Sequence, residues 1–170
     1  MVHPCRLPFR SYHACLLLAS ILCAVVLYSY RTQPPTIGDF GGVSLRIEYA
    51  TTSEAREKGL GGRESIASDY GMLFVFPNDD YHGFWMKNMF VPIDIFWLDA
   101  STGGESVSSG QKRLLVVSFK TDVLPSTYPS VFYPSVPARY VLETATGFAR
   151  THNIGVGTTL VLKNFPNVSK

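Results

Sequence analysis

The chain opens on its longest apolar run. From Ala14 to Tyr30 it reads ACLLLASILCAVVLYSY, and no Asp, Glu, Lys or Arg occurs between Ser11 and Tyr30. A helix of about 20 residues crosses roughly 30 Å of hydrocarbon, so the run is long enough to span. It lacks the polar positions at a 3.6-residue period that a helix in a globular core would show. Gln33-Pro34-Pro35-Thr36 then forms a short stiff tether. After it the pattern changes. Val43, Leu45, Ile47 and Tyr49 alternate with Ser44, Arg46 and Glu48, the mark of a half-buried strand. Thr51 or Thr52 can cap a helix of barely two turns, with Glu54 near its positive end and Gly59 as its stop. Gly61-Gly62 makes a loop that delivers Arg63.

Short strands follow at 71–76, 83–86 and 92–98, the last entered through Pro92. Residues 100–112 are rich in Ser and Gly and form a surface loop. A strand runs over 114–119. Pro125, Pro129, Pro134 and Pro137 punctuate an irregular stretch that also holds Tyr128 and Tyr133. Residues 138–143 alternate again, with Arg139, Val141 and Glu143 on one face. A second short helix covers 147–152 and stops near Asn153, and a final strand covers 158–163. The pattern predicts an α+β domain over 37–170, mostly antiparallel β and compact, with about seven short strands and two short helices. Closure toward a barrel is compatible with it. Residues 1–36 precede it as anchor or signal plus tether.

Composition sharpens this division. The formal net charge is +2 over 170 residues. Arg6, Arg10 and Arg31 give residues 1–31 a charge of +3 without any acid, and the remaining 12 basic and 13 acidic residues give 32–170 a charge of −1. Nothing here calls for a nucleic-acid partner. Two arginines before the apolar run and one after it place the amino end in the cytoplasm and the domain outside. Each small residue that could precede a cleavage site has Leu at the second required position, which favours a retained single-pass anchor over a cleaved signal. The alternatives are an organellar, mitochondrial presequence and secretion after cleavage. Cys5, Cys15 and Cys23 all lie in this segment, so the domain can form neither a disulfide nor a thiolate metal site.

Several short words occur in order. They are Lys58-Gly-Leu-Gly-Gly-Arg63, Gly71-Met-Leu-Phe-Val-Phe-Pro77, Phe84-Trp-Met-Lys-Asn88, Pro92-Ile-Asp-Ile95, Pro137-Ala-Arg-Tyr-Val-Leu-Glu143 and Gly155-Val-Gly157. This ordered set resembles the DUF192 family, small domains of unknown function, over about residues 43–162. The resemblance implies a compact, mainly β, barrel-like domain, often preceded by an export signal or anchor. It implies no reaction and no catalytic residues. The chain departs from the family in its longer 100–112 loop and in lacking the cysteine pair that some relatives carry before the Tyr-Pro segment.

The candidate chemistry rests on six residues. Asp94 shares a strand face with Phe96 and Leu98, and a carboxylate on an apolar face needs a partner. Arg63, Lys87, Asn88 and the Trp85 indole are candidates, whether the carboxylate serves a pocket or pins the loop 87–91. Trp85, Lys87 and Asn88 could line a cleft, although Trp85 and Met86 also suit a core. Arg63 could grip an anion bidentately or pair with Glu143 or Asp94. Glu143 could belong to an outward polar row with Arg139. No nucleophile elbow, zinc set, calcium loop or phosphate-binding glycine loop occurs, and His82 and His152 suit the surface. No cofactor or metal is implied.

The sequence therefore predicts a membrane-tethered extracytoplasmic binding or accessory module for a small ligand or an envelope protein. Its candidate surface is Arg63, Trp85, Lys87, Asn88, Asp94 and Glu143. The alternative is a small hydrolase- or lyase-like enzyme with Asp94 or Glu143 as general base. A third reading has the segment 125–137 docking a protein.

Overall fold

The structure, a computed structural model, describes Ala19, residues 36–100, residues 111–163 and Phe165. The chain divides into two units, Met1–Pro34 and Pro35–Lys170. Apart from Ala19 the predicted membrane span lies outside the described residues, as does most of the Ser/Gly loop. Among the described residues no helix is long and apolar enough to cross a membrane.

Nine strands and two short helices are found among the described residues. Strand β1 is Thr36–Phe40 and β2 is Val43–Ala50. Helix α1, Ser53–Lys58, leads to β3, Tyr70–Asp80. Strands β4 (Phe84–Trp85), β5 (Ile93–Ala100), β6 (Gln111–Val123) and β7 (Val131–Phe132) follow. Then come β8 (Ala138–Ala145), α2 (Phe148–His152) and β9 (Thr159–Lys163). Seven strands close into a barrel in the order β1-β2-β3-β8-β5-β6-β9, and β4 and β7 form a separate two-stranded ribbon. Among the described strands only β2 and β3 pair in parallel. A parallel pair requires a crossover, and α1 lies within it.

The alternation in β2 is as the sequence predicts: Leu45 and Ile47 are buried, while Ser44, Arg46 and Glu48 are exposed. These inward residues join Phe40, Leu73, Phe96, Leu98, Leu142 and Leu160 in one core. Phe96 packs edge-on against Phe40 at 5.2 Å, and Phe148 of α2 stacks on Phe40 at 5.9 Å. Thr52 caps α1 by accepting from the Ala55 amide at 3.1 Å, and Gly59 ends it.

A second core lies on the other face of β3, β8 and β5. Met72, Phe74, Val141, Ile95 and Trp97 supply it, with Leu60, Phe84, Met86 and Met89 packed on top. Strand β5 is therefore buried on both faces, which explains its near-continuous apolar run. The sequence places the tether through Thr36 and misses β1 and β7. The structure puts Thr36 into β1 and pairs Phe84 with Phe132 and Trp85 with Val131.

Candidate functional site

The second core is not solid. The turn after α1 and the β4 ribbon flank a half-open cavity of about 370 Å³ over β3 and β8. Local sequence explains its shape. Gly59 adopts φ +50, a conformation that side chains disfavour, and a Cβ there would lie 3.2 Å from the Phe74 ring and 3.7 Å from Glu143 Oε2. The backbone thus passes close over the cavity floor and tucks Leu60 inside. Gly83 leaves room beside Val131 and Tyr133, whose side chains a Cβ would meet at 2.6 and 2.7 Å. Phe84 then packs edge-on against Phe74 at 4.8 Å. Phe74, Phe76, Phe84, Leu60 and Met89 form apolar walls, while Arg56, Glu57, Lys58 and Lys87 bring charge to the lining.

Glu143 lies in that lining, 4% exposed. Its Oε2 is buried without a hydrogen-bond partner among the described residues. Burial pushes its carboxyl up to about 8, against the opposing influence of the Leu60 backbone and the Arg63 charge. An isolated carboxylate in an apolar surround is costly, so the group holds its proton at neutral pH. It is a buried acid with an unused oxygen beside open space. Arg139 and Glu143 do not form the expected outward polar row. Their shared face is covered by the second core, and Arg139 instead donates to the Phe76 carbonyl at 3.0 Å.

The structure brings Glu143, Trp85 and Lys87 together at the cavity. Trp85 is exposed at its rim while Met86 is buried, which separates two residues that the sequence treated alike. Lys87 Nζ lies 5.7 Å from the Trp85 ring centre and 3.8 Å from Glu57. Asn88 lines a shallower depression beside the cavity with Lys58, Gly61 and Lys87, and its backbone carbonyl accepts from the Gly62 amide at 2.9 Å.

Two residues sit elsewhere. Arg63 pairs with Glu48 at 2.9 Å and lies over the Tyr70 ring at 5.1 Å, rather than pairing with Glu143 or Asp94. Tyr70 also donates to Glu48, and with Arg63 this bond holds the Glu48 carboxyl below its ordinary value against the opposing effect of burial. Asp94 is fully buried, but none of its expected partners meets it. Its oxygens accept from the amides of Asp122 at 2.8 Å, Gly147 at 3.3 Å and Ala149 at 2.9 Å. It pins the start of α2 and the end of β6, not the loop 87–91, and does not line the cavity. His82 is not a plain surface residue either, since its ring stacks on Phe76 at 3.6 Å.

Sequence reasoning missed Arg56, Lys58, Phe74 and Phe84 as lining residues. The available signal was the Lys58-Gly-Leu-Gly-Gly word, whose glycines mark a close backbone approach. Among the described residues no three His, Cys, Asp or Glu side chains gather as a metal site.

The sequence model of DUF192, described as an uncharacterized ACR, matches residues 36–162. No curated protein matches the chain. A crystal structure from Novosphingobium aromaticivorans DSM 12444, of a protein of unknown function, is similar with a TM-score of 0.59 and 26% identity, covering 75% of this chain and 82% of that one. Another, from Sinorhizobium meliloti 1021 and described as a candidate transcription regulator, gives a TM-score of 0.61 at 24% identity, covering 75% and 92%. That second likeness concerns the fold alone.

Proposed function

The chain belongs to the DUF192 family, and on that premise we propose that its domain is a small-ligand-binding module whose site is the cavity at Glu143. One observation carries the reading: a buried carboxyl with an unpartnered oxygen lines an apolar cavity. Leaving such a group unsatisfied costs about 1–3 kcal/mol, which a ligand can recover by bonding it. Pockets of a few hundred Å³ with apolar walls and a few polar groups suit small molecules. A thermal-shift screen of the full chain tests this, because ligands that bind the native state raise its midpoint. Hits must lose their effect in a Glu143→Leu variant that still folds. A screen whose hits act equally on both proteins would sink the proposal.

The apolar run 14–30 supports a second element of the reading. We propose that it tethers the domain to a membrane with the domain on the outer side. Carbonate-resistant membrane association of an uncleaved chain is the expected result. A soluble, shortened protein, or an organellar one, would overturn the tether.

Proton transfer is the competing reading. Glu143 sits near neutrality and is protonated at pH 7, so it would act first as an acid. Conversion of a bound ligand, detected by mass spectrometry and abolished in Glu143→Gln, would favour an enzyme.

A further inference from the structure

We infer that the ligand is a small anionic amphiphile: its carboxylate or phosphate lies at the cavity mouth, and its apolar body runs inward to a hydrogen-bond acceptor at Glu143. The inference rests on the cavity being a ligand site. It begins from the charges around that space. On α1 stand Arg56, Glu57 and Lys58, and after β4 stands Lys87. Lys87 is matched by Glu57 and Arg63 by Glu48. Arg56 donates to the neutral carbonyls of Thr51 at 2.6 Å and Val75 at 3.0 Å and lies over the Phe76 ring at 5.3 Å, with no carboxylate paired to it among the described residues. Lys58 has no ion pair among the described residues. His82 lies behind the Phe76 wall.

With Glu143 protonated, the lining therefore carries a positive surplus from Arg56 and Lys58. An amine entering this space meets like charge on two sides, whereas an anion is attracted. The walls explain the rest of the molecule. Phe74 and Phe84 offer ring surface to an apolar body, Phe76, whose ring already carries His82 and the Arg56 guanidinium, backs them, and Trp85 extends that surface to the rim. At the far end a protonated Glu143 offers an O–H, which an ether, hydroxyl or carbonyl oxygen can accept. A volume of about 370 Å³ fits a molecule of modest size.

Three probes of one shape, each with an ether oxygen at its far end as the acceptor for Glu143, test the charge: 3-(4-methoxyphenyl)propionate, 3-(4-methoxyphenyl)propylamine and 3-(4-methoxyphenyl)propionamide. Each is titrated into the full chain in phosphatidylcholine nanodiscs, with empty discs as reference. Binding is followed by tryptophan fluorescence, and loss of the change in Trp85→Phe assigns it to the rim, since the buried Trp97 also emits. The propionate is expected to bind about tenfold or more tightly than the other two. Its affinity falls about tenfold between about pH 7 and about pH 9 as Glu143 ionises, is flat across that range in Glu143→Gln, and is weakened in Lys58→Ala. A parallel titration with 2-(4-methoxyphenyl)ethyl phosphate, which keeps the spacer and the ether, separates the two anionic groups, and the tighter one names the class.

Preference for the amine or the amide, altered by Glu143→Gln, overturns the anion while leaving the cavity a ligand site. Propionate binding that neither substitution alters lies elsewhere and also overturns the inference. No saturable change with any probe overturns the cavity reading, and the anion with it.

Discussion

Asp94 and Ala149 are hydrogen-bonded across 55 positions of sequence, with Asp94 Oδ2 accepting from the Ala149 amide at 2.9 Å. The other oxygen accepts from Asp122 and Gly147. The carboxylate thus ties β5 to the first turn of α2, where free amides and a partial positive charge favour an anion. Asp94→Asn keeps the shape but turns an NH₂ group toward amide donors. The substitution is expected to cost about 2–3 kcal/mol and to lower the thermal midpoint by several degrees. Ligand affinity at the cavity should not change, because Asp94 does not line it. An unchanged midpoint would contradict this account.

The contrast between Asp94 and Glu143 shows what a sequence can disclose. Both were visible as acids on strand faces beside apolar residues. The partners of Asp94 were not, because backbone amides at 122, 147 and 149 carry no residue-type signature. The burial of Glu143 was hidden for another reason. Its face looks polar beside Arg139, and only the chain after α1 and the β4 ribbon, distant in sequence, covers it. Strand β1 escaped notice because one of its inward positions is Gly38, where a Cβ would lie 3.0 Å from Leu162 and 3.1 Å from Leu160. A missing side chain leaves no alternation to read. The words that were legible, β2, the caps of α1 and the stop of α2 at Asn153, depend on neighbours within a few residues.

Helix α1 offers a second test, since it supplies Arg56, Glu57 and Lys58 to the cavity. At six residues, with none of them buried, it depends on its ends. Thr52→Ala removes the cap to the Ala55 amide and should cost about 1 kcal/mol. Amide hydrogen exchange should accelerate in 53–58 more than in β5. Equal protection in the variant would mean that packing alone holds the helix.

Gly59 links this helix end to the cavity floor. Gly59→Ala places a Cβ at φ +50, 3.2 Å from Phe74 and 3.7 Å from Glu143 Oε2. Strain at such a position, φ +50 with ψ −139, costs about 1–3 kcal/mol. The added methyl also occupies space beside the unpartnered oxygen. Ligand affinity is expected to fall severalfold with a modest loss of thermal midpoint. A variant that loses midpoint but keeps full affinity would place the ligand away from the floor.

Glu143 makes the sharpest prediction about pH. Burial raises its folded value from an ordinary 4.5 to about 8. Between those values the folded protein holds a proton that the unfolded chain has released. Stability from this group is therefore fully present below about pH 4.5 and falls as pH rises, by up to about 1.4 kcal/mol per unit, until about pH 8. Glu143→Gln cannot ionise and lacks that slope. Urea unfolding of both proteins at a series of pH values isolates the effect, because every other titrating group is common to the two. The difference should favour the variant increasingly from acid toward alkaline pH and then level off. A difference that is flat across the window would mean that Glu143 ionises in the folded protein as it does in the unfolded chain. The cavity floor would then be charged at neutral pH and would repel the anion that its surrounding lysine and arginine attract.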